Sequence, residues 1–480
     1  MEGLKMSKIY TIKDERIRLD ILTVAEYLKG NGYKRISYND NPNTIVQVEN
    51  NLVTIVSRDE LFGKLMSIAQ TDKPKSKHHQ TELIEQLTKA ASRIKHSIVH
   101  LLDELEGEFL SDKSNIGYLF FADKIVEVTP EEINMIEYSE SDQYVWAHDK
   151  IERNAPKDIP DELTDCNALF FHFVDMLIPY DAENGMDSFA SAYGYILHKH
   201  KNRTNAKAWI IYDMNIDMDD PEGRTGKTIL AESTKYFCEA ITEDGKVLKA
   251  NDKFAFSRVS GKTRIMIIDD VPRNHRFDNY FSLITSDFSI EKKMKNRYAI
   301  PFSRSPKLII TSNYNIKGTG GSHKHRRIET VISNHYSKDR TPLDDFGEMF
   351  IDWDEEEWER FYSFGILCLK HYLQNGIIEQ QPSKEFYLLM RHASTEFVDF
   401  AEELELKKVY KKAELLKGFQ KNYPDHFSVN QREFTFWLKD YAKYKGHKVR
   451  ESHSDSISTI EFYNSTDRED SAEKVRILSK

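Results

Sequence analysis

At 480 residues, 39% of them hydrophobic, the chain has material for roughly two to four domains with real cores. Its net charge of −10 excludes a uniformly basic coat but leaves room for local basic clusters. Apolar runs stay short of the ~18 residues a membrane span needs, and three scattered cysteines, Cys166, Cys238 and Cys368, give neither a disulfide framework nor a zinc-binding pair.

The opening MEGLKMSKIYTIKDERIRLD has no apolar leader, so a reducing cytoplasm is the expected location. Residues 1–70 mix β-rich runs (NTIVQVENNLVTIVS) with an amphipathic helix around LTVAEYLKGNGY, and QTDKPKSKHHQT reads as a polar linker. ELIEQLTKAASRIKHSIVHLLDEL has helical spacing, and GYLFFADKIVEVTP reads as a hairpin closed by Pro130. Residues 1–150 are therefore expected to form an α+β region. Residues 151–205 read as mainly helical, through DCNALFFHFVDMLI and DSFASAYGYILHKHK, with their aromatics in the core. From 207 to about 335, the short buried runs AWIIY, RIMIID, KLIITSN and IETVIS alternate with helical segments. That texture predicts a largely parallel sheet flanked by helices. EEEWERFYSFGILCLKHYLQNG returns to helix. In the tail, KVYKKAELLKGFQKNY, QREFTFWLKDYAKYKG and STIEFY give helix, helix and strand, the order of a small winged-helix module.

Four stretches carry chemistry. DMDDPEGRTGKTILAES nearly spells the phosphate-binding pattern G-x-x-x-x-G-K-[ST], with Pro221 at the first glycine. Lys227 is expected to neutralise the β/γ-phosphates and Thr228 to hold Mg²⁺ through its hydroxyl. The amides of Gly223, Arg224, Thr225, Gly226, Lys227 and Thr228 are expected to wrap the phosphates, with Gly223 supplying positive φ. Asp213, Asp217, Asp219 and Asp220 read as loop leading into this element. RIMIIDDV is an apolar strand ending in two acids: Asp269 to hold Mg²⁺, Asp270 to polarise the attacking water. SPKLIITSNYNI delivers Ser312 and Asn313 at a strand end, where an amide can orient that water. In GTGGSHKHRRIETVI, Arg326 or Arg327 is the candidate to reach a neighbouring subunit's γ-phosphate.

The order of these elements resembles that of superfamily 3 (AAA+-related) helicases, in particular the primase–helicases of phages, plasmids and poxvirus-like elements. PEGRTGKT, IIDDVPRNHRFDNYFSLITSDFSIEKKMKN, SPKLIITSNYNIKGTGGS and RRIETVISNHYS look like the version in Bacteroidetes phages and mobile elements. In that group P-x-G-x-T-G-K is the usual loop, which makes Pro221 a subtype marker. The resemblance implies an α/β AAA+-type P-loop ATPase core at 206–380. A helical collar at 151–205 and a collar or partner-binding region at 1–150 precede it; a winged-helix-like domain at 381–480 follows. It also implies a hexameric, ATP- and Mg²⁺-dependent DNA helicase in a bacterial host's cytoplasm. Such a ring translocates on single-stranded DNA and either stands alone or works with a separate primase or other replication proteins.

A pore hairpin of that family matches SIEKKMKNRYAIPFSRSP, where Lys292, Lys293, Lys295, Arg297 and Arg304 form a dense basic patch. Tyr298 and Phe302 are interleaved to support it or stack on a base. In the tail, Lys407, Lys408, Lys411, Lys412, Lys417 and Lys421, then Lys439, Lys443, Lys445, Lys448 and Arg450, are a second DNA candidate. Residues 1–150 carry no zinc spacing and no D-x-D or D-x-E in a strand, so priming is not expected of them. A non-unwinding AAA+ initiator, assembly factor or defence switch is the alternative reading. Many relatives in the wider class have Glu where Asp270 stands, one methylene longer.

Overall fold

The computed structural model describes residues 8–13, 16–38, 41–71, 77–216, 223–248, 255–273, 275–291, 298–316, 323, 325–454 and 457–464. Its centre is a five-stranded sheet: β1 (Ala208–Asp213), β2 (Ala240–Asp244), β3 (Ile265–Asp269), β4 (Lys307–Ser312) and β5 (Arg327–Ile332). The spatial order is β2-β3-β4-β1-β5, and every neighbouring pair is parallel. The apolar runs are continuous because both faces are covered. Trp209, Ile211, Ile267 and Ile309 enter one core; Ile210, Tyr212, Met266, Ile268 and Ile310 enter the other. Each such side chain contributes about 1.5–3 kcal/mol of burial.

The first core is closed by three helices: α1 (Leu169–Leu177), α2 (Gly185–Leu197) and, after the short α3 (Lys227–Ser233), α4 (Glu355–Asn375). Phe170, Phe173, Phe189, Tyr193, Phe361 and Phe364 fill the space between them and the sheet. The boundary read near residue 205 thus runs through one continuous core. α2 and α4 cross in backbone contact at Gly194, where any Cβ would strike the Cys368 carbonyl, so that position admits no side chain.

The N-terminal part is a separate layer. Strands Tyr33–Tyr38, Asn41–Glu49 and Leu52–Val56 form an antiparallel meander that Val145–Trp146 joins in parallel. Helices Ile21–Gly30, Arg58–Thr71 and Lys77–Ser97 pack around a common core. The expected linker is shorter than its composition suggests. One helix runs to Thr71, the next resumes at Lys77, and the Gln80 side chain donates to the Gln70 carbonyl at 2.5 Å. The hairpin Gly117–Phe120/Lys124–Val128 forms as read and gains a third strand, Ile133–Glu137, beyond Pro130.

The C-terminal module runs helix Thr395–Glu402, strand Val409–Lys411, helices Lys412–Asn422 and Gln431–Tyr444, then strands His447–Ser454 and Ile457–Asn464. The last strand lies between the other two. Phe397, Phe419, Phe434 and Trp437 centre its core. Among the described residues no helix is long and apolar enough to cross a membrane.

Candidate nucleotide site

Because β4 lies between β1 and β3, the carboxyl ends of three strands stand side by side. Tyr212 pairs with Ser312 and Ile268 with Ile310, so the residues leaving β1, β3 and β4 meet along one edge. Those residues are Asp213, the Asp269–Asp270 pair and Asn313. Ligands of open parallel sheets bind at such an edge. α3 starts in front of it, straight out of the 223–226 loop. Gly226 has φ +100°, with Phe173 and Leu177 packed close to where a Cβ would be. Arg224 also takes positive φ, +74°. Gly223 is exposed, and positive φ in this loop falls on Arg224 and Gly226.

The Lys227 ammonium donates to Asp213 Oδ2 at 2.7 Å, Asn313 Oδ1 at 2.7 Å and Thr225 Oγ1 at 2.9 Å. Thr228 Oγ1 donates to both oxygens of Asp269, at 3.0 and 3.1 Å. Thr311 ties the acids together, its hydroxyl donating to Asp269 Oδ1 at 2.6 Å and accepting from the Asp270 amide at 2.8 Å. Asp270 sits at φ +56°. One of its oxygens accepts from Asn313 Nδ2 at 3.3 Å and the other pairs with Lys246 at 2.5 Å. The loop, the two acids and the asparagine therefore meet at one edge of the sheet.

Ser312 does not join them. Its hydroxyl is turned to the carbonyls of Val271 and Tyr314 and locks the turn that aims Asn313. Three members of the cluster escaped the sequence reading. Asp213, assigned to a loop, is the last residue of β1 and fully buried. Thr311 and Lys246 had no motif. The signal for Asp213 was available: AWIIYD ends on an acid just as RIMIID does.

The arginines stand at the other end of the sheet. Arg327 pairs in register with Ala208, whereas Asp213 pairs with Ile332, five residues or roughly 17 Å further along. Neither can act on a nucleotide bound at its own carboxyl edge. Arg327 is engaged internally, on Glu329 at 3.1 Å and the His323 carbonyl at 3.3 Å. Lys384 shares the same Glu329 oxygen at 2.5 Å. Burial pushes the Glu329 carboxyl up, but Lys384 and Arg327 more than offset it and hold it below the ordinary range. The Arg326 guanidinium lies over the Phe281 ring, 4.8 Å from its centroid.

Phe288–Ile290 and Tyr298–Ile300 pair antiparallel, forming the two sides of the expected hairpin. Lys292, Lys293, Lys295 and Arg297 lie outside the described residues. Phe302 is buried beneath Lys201 and Arg203, so it supports the hairpin base and has no free face for a nucleotide base. Arg304 turns to the Tyr38 ring at 5.4 Å.

In the tail most of the basic residues have acidic partners. Lys408 meets Glu405, Lys411 meets Glu414, Lys443 meets Asp440, Lys445 meets Glu402 and Arg450 meets Glu461, while Glu451 takes both Lys412 and Lys439. Lys417, Lys421 and Lys448 are exposed and meet no carboxylate among the described residues.

A family of unknown function (DUF5906) matches residues 220–327. That span is less than half of the chain, but it holds Lys227, Thr228, Asp269, Asp270, Asn313 and both arginines. No curated protein matches. Among solved structures, that of Drosophila ORC bound to DNA is 10% identical, over 65% of this chain and 93% of that one, with a TM-score of 0.19. A full-length MCM homolog from Methanopyrus kandleri is 9% identical, over 67% of this chain and 64% of its own, also at 0.19. Likeness this loose carries no weight for fold or activity.

Proposed function

We propose that the chain is an ATPase that works as a ring of subunits, converting hydrolysis at the carboxyl edge of the sheet into movement along single-stranded DNA. One observation carries the reading. Lys227, Thr228, Asp269, Asp270 and Asn313 come from elements far apart in the chain and meet in a single hydrogen-bonded cluster. A structural ion pair needs two of these groups; phosphoryl transfer needs all of them.

Lys227 and the loop amides hold the phosphates. The Thr228 hydroxyl and the Asp269 carboxylate, both hard oxygen donors, suit Mg²⁺, which when bound offsets charge on the β- and γ-phosphate oxygens. Asn313 and Asp270 orient a water in line with the γ-phosphorus. The water oxygen forms the new P–O bond, the bond to the β,γ-bridging oxygen breaks, and the water's proton passes to Asp270. ADP and phosphate leave. Arg326 or Arg327, both on the loop side of the last strand, serves a neighbouring subunit's nucleotide. The hairpin based on Phe288–Ile290 and Tyr298–Ile300 carries the DNA contacts through Lys292, Lys293 and Lys295.

Phosphate release with and without single-stranded DNA tests this reading. DNA is expected to stimulate hydrolysis, and changing Lys292, Lys293 and Lys295 together to Ala is expected to abolish the stimulation while sparing the basal rate. Hydrolysis indifferent to DNA overturns the helicase part. The second reading is a non-unwinding ring that remodels a protein partner. It is favoured by the pairing of the tail's lysines with carboxylates, and it predicts stimulation by that partner instead.

A further inference from the structure

We propose that Asp213 is a built-in competitor for the phosphates: it holds Lys227 in a buried ion pair, and the displacement of that pair sets how tightly ATP binds. The inference rests on the ATP reading above and adds a residue to it. An ammonium has three N–H donors. All three of Lys227's are in use, on Asp213, Asn313 and Thr225. None remains for a phosphate oxygen, so binding has to break at least one of these bonds.

Only one of the three partners is charged. Asn313 and Thr225 offer neutral oxygens, whereas Asp213 offers a carboxylate, the acceptor type a phosphate replaces charge for charge. The side chains of Asp213 and Lys227 retain 2% and 8% exposure, so water does little to screen the pair. The other oxygen of Asp213, Oδ1, is buried and meets no donor among the described residues. Nothing stands ready there to take up the acid once Lys227 turns away, and an uncompensated buried carboxylate is unfavourable. ATP therefore binds against the bond it breaks, and against the charge that bond had neutralised. Asp213 acts through Lys227 and is a positioning residue.

The test is equilibrium titration of the full chain with Mg²⁺ and a non-hydrolysable ATP analogue, on wild type, Asp213→Asn, Asp213→Ser and Asp213→Glu. The two neutral variants are expected to bind about ten- to a hundredfold more tightly, the worth of one hydrogen bond between charged groups. Asp213→Glu, which keeps the charge, is expected to stay near wild type. A merely structural aspartate predicts the opposite sign: neutral variants that bind equally or more weakly overturn the inference while wild-type binding still upholds the nucleotide site. Loss of the folded state in both neutral variants overturns it too, since Asp213 is then a folding residue. A wild-type chain that does not bind the analogue overturns both readings.

Discussion

The carboxyl edge of the central sheet and the C-terminal module both drew attention as clusters of charge, and they resolve in opposite ways. At the sheet edge, groups scattered from Asp213 to Asn313 are brought into contact by strand order, and each donor there finds an acceptor aimed at a common point. In the C-terminal module, lysines close in sequence disperse over a surface where most meet an acid. Local charge density is thus a poor guide, because exposed helices recruit counter-charges cheaply, each pair being worth about 0–1 kcal/mol. Polar residues placed at the ends of buried strands are a better guide. Holding them there costs desolvation that a core does not otherwise incur.

The contrast can be broken most forcefully at the sheet edge. Lys227→Ala is expected to lower ATP hydrolysis by about a thousandfold, measured as phosphate release. Arg326→Ala is expected to lose a similar factor in the assembled ring; co-assembly with an Asp270→Asn partner should restore part of it, because the two lesions fall on different subunits' contributions. Asp270→Asn alone is expected to cost about a hundredfold in turnover, as for loss of a positioned base, with ATP still bound.

Arg327→Ala is expected to cost stability, about 1 kcal/mol, because it strips one of two cations from the half-buried Glu329 and leaves Lys384 in place. The sign of its pH dependence follows from Glu329's lowered folded pKa. That stabilisation is present above the ordinary Glu value near 4.3 and is lost as pH falls through the lower folded value. Acid unfolding should therefore begin at higher pH in the variant. The smallest effect belongs to the tail. Removing Lys417, Lys421 and Lys448 should shallow the salt dependence of single-stranded DNA binding by about 0.7 per true phosphate contact, and an unchanged slope leaves the module without a DNA role.

Much of the core was legible in the sequence because continuous apolar runs have few ways to be buried. AWIIY, RIMIID, KLIITSN and IETVIS all became strands of one parallel sheet. What was hidden was carried by tertiary context. Helix Arg58–Thr71 buries only Leu61, Leu65 and Ala69, a stripe too thin to stand out among its charges. Strand Val409–Lys411 is three residues long, and His447–Ser454 is an edge strand exposed for most of its length. In the site, residues with a spacing rule were found. Thr311 and Lys246 were not, since a hydroxyl in a buried strand and a lysine in a turn acquire meaning only from the aspartates they touch.

The left-handed backbone at Asp270 bears on the length of its side chain. A glutamate reaches outward on an extra methylene, and it is poorly suited to φ +56°, a conformation in which Asp and Asn are enriched among non-glycine residues. From that backbone the shorter carboxylate accepts from Asn313 Nδ2 at 3.3 Å. The missing methylene and the unusual torsion are then two halves of one solution. Lengthening the acid without straightening the backbone should drive the carboxylate past Asn313.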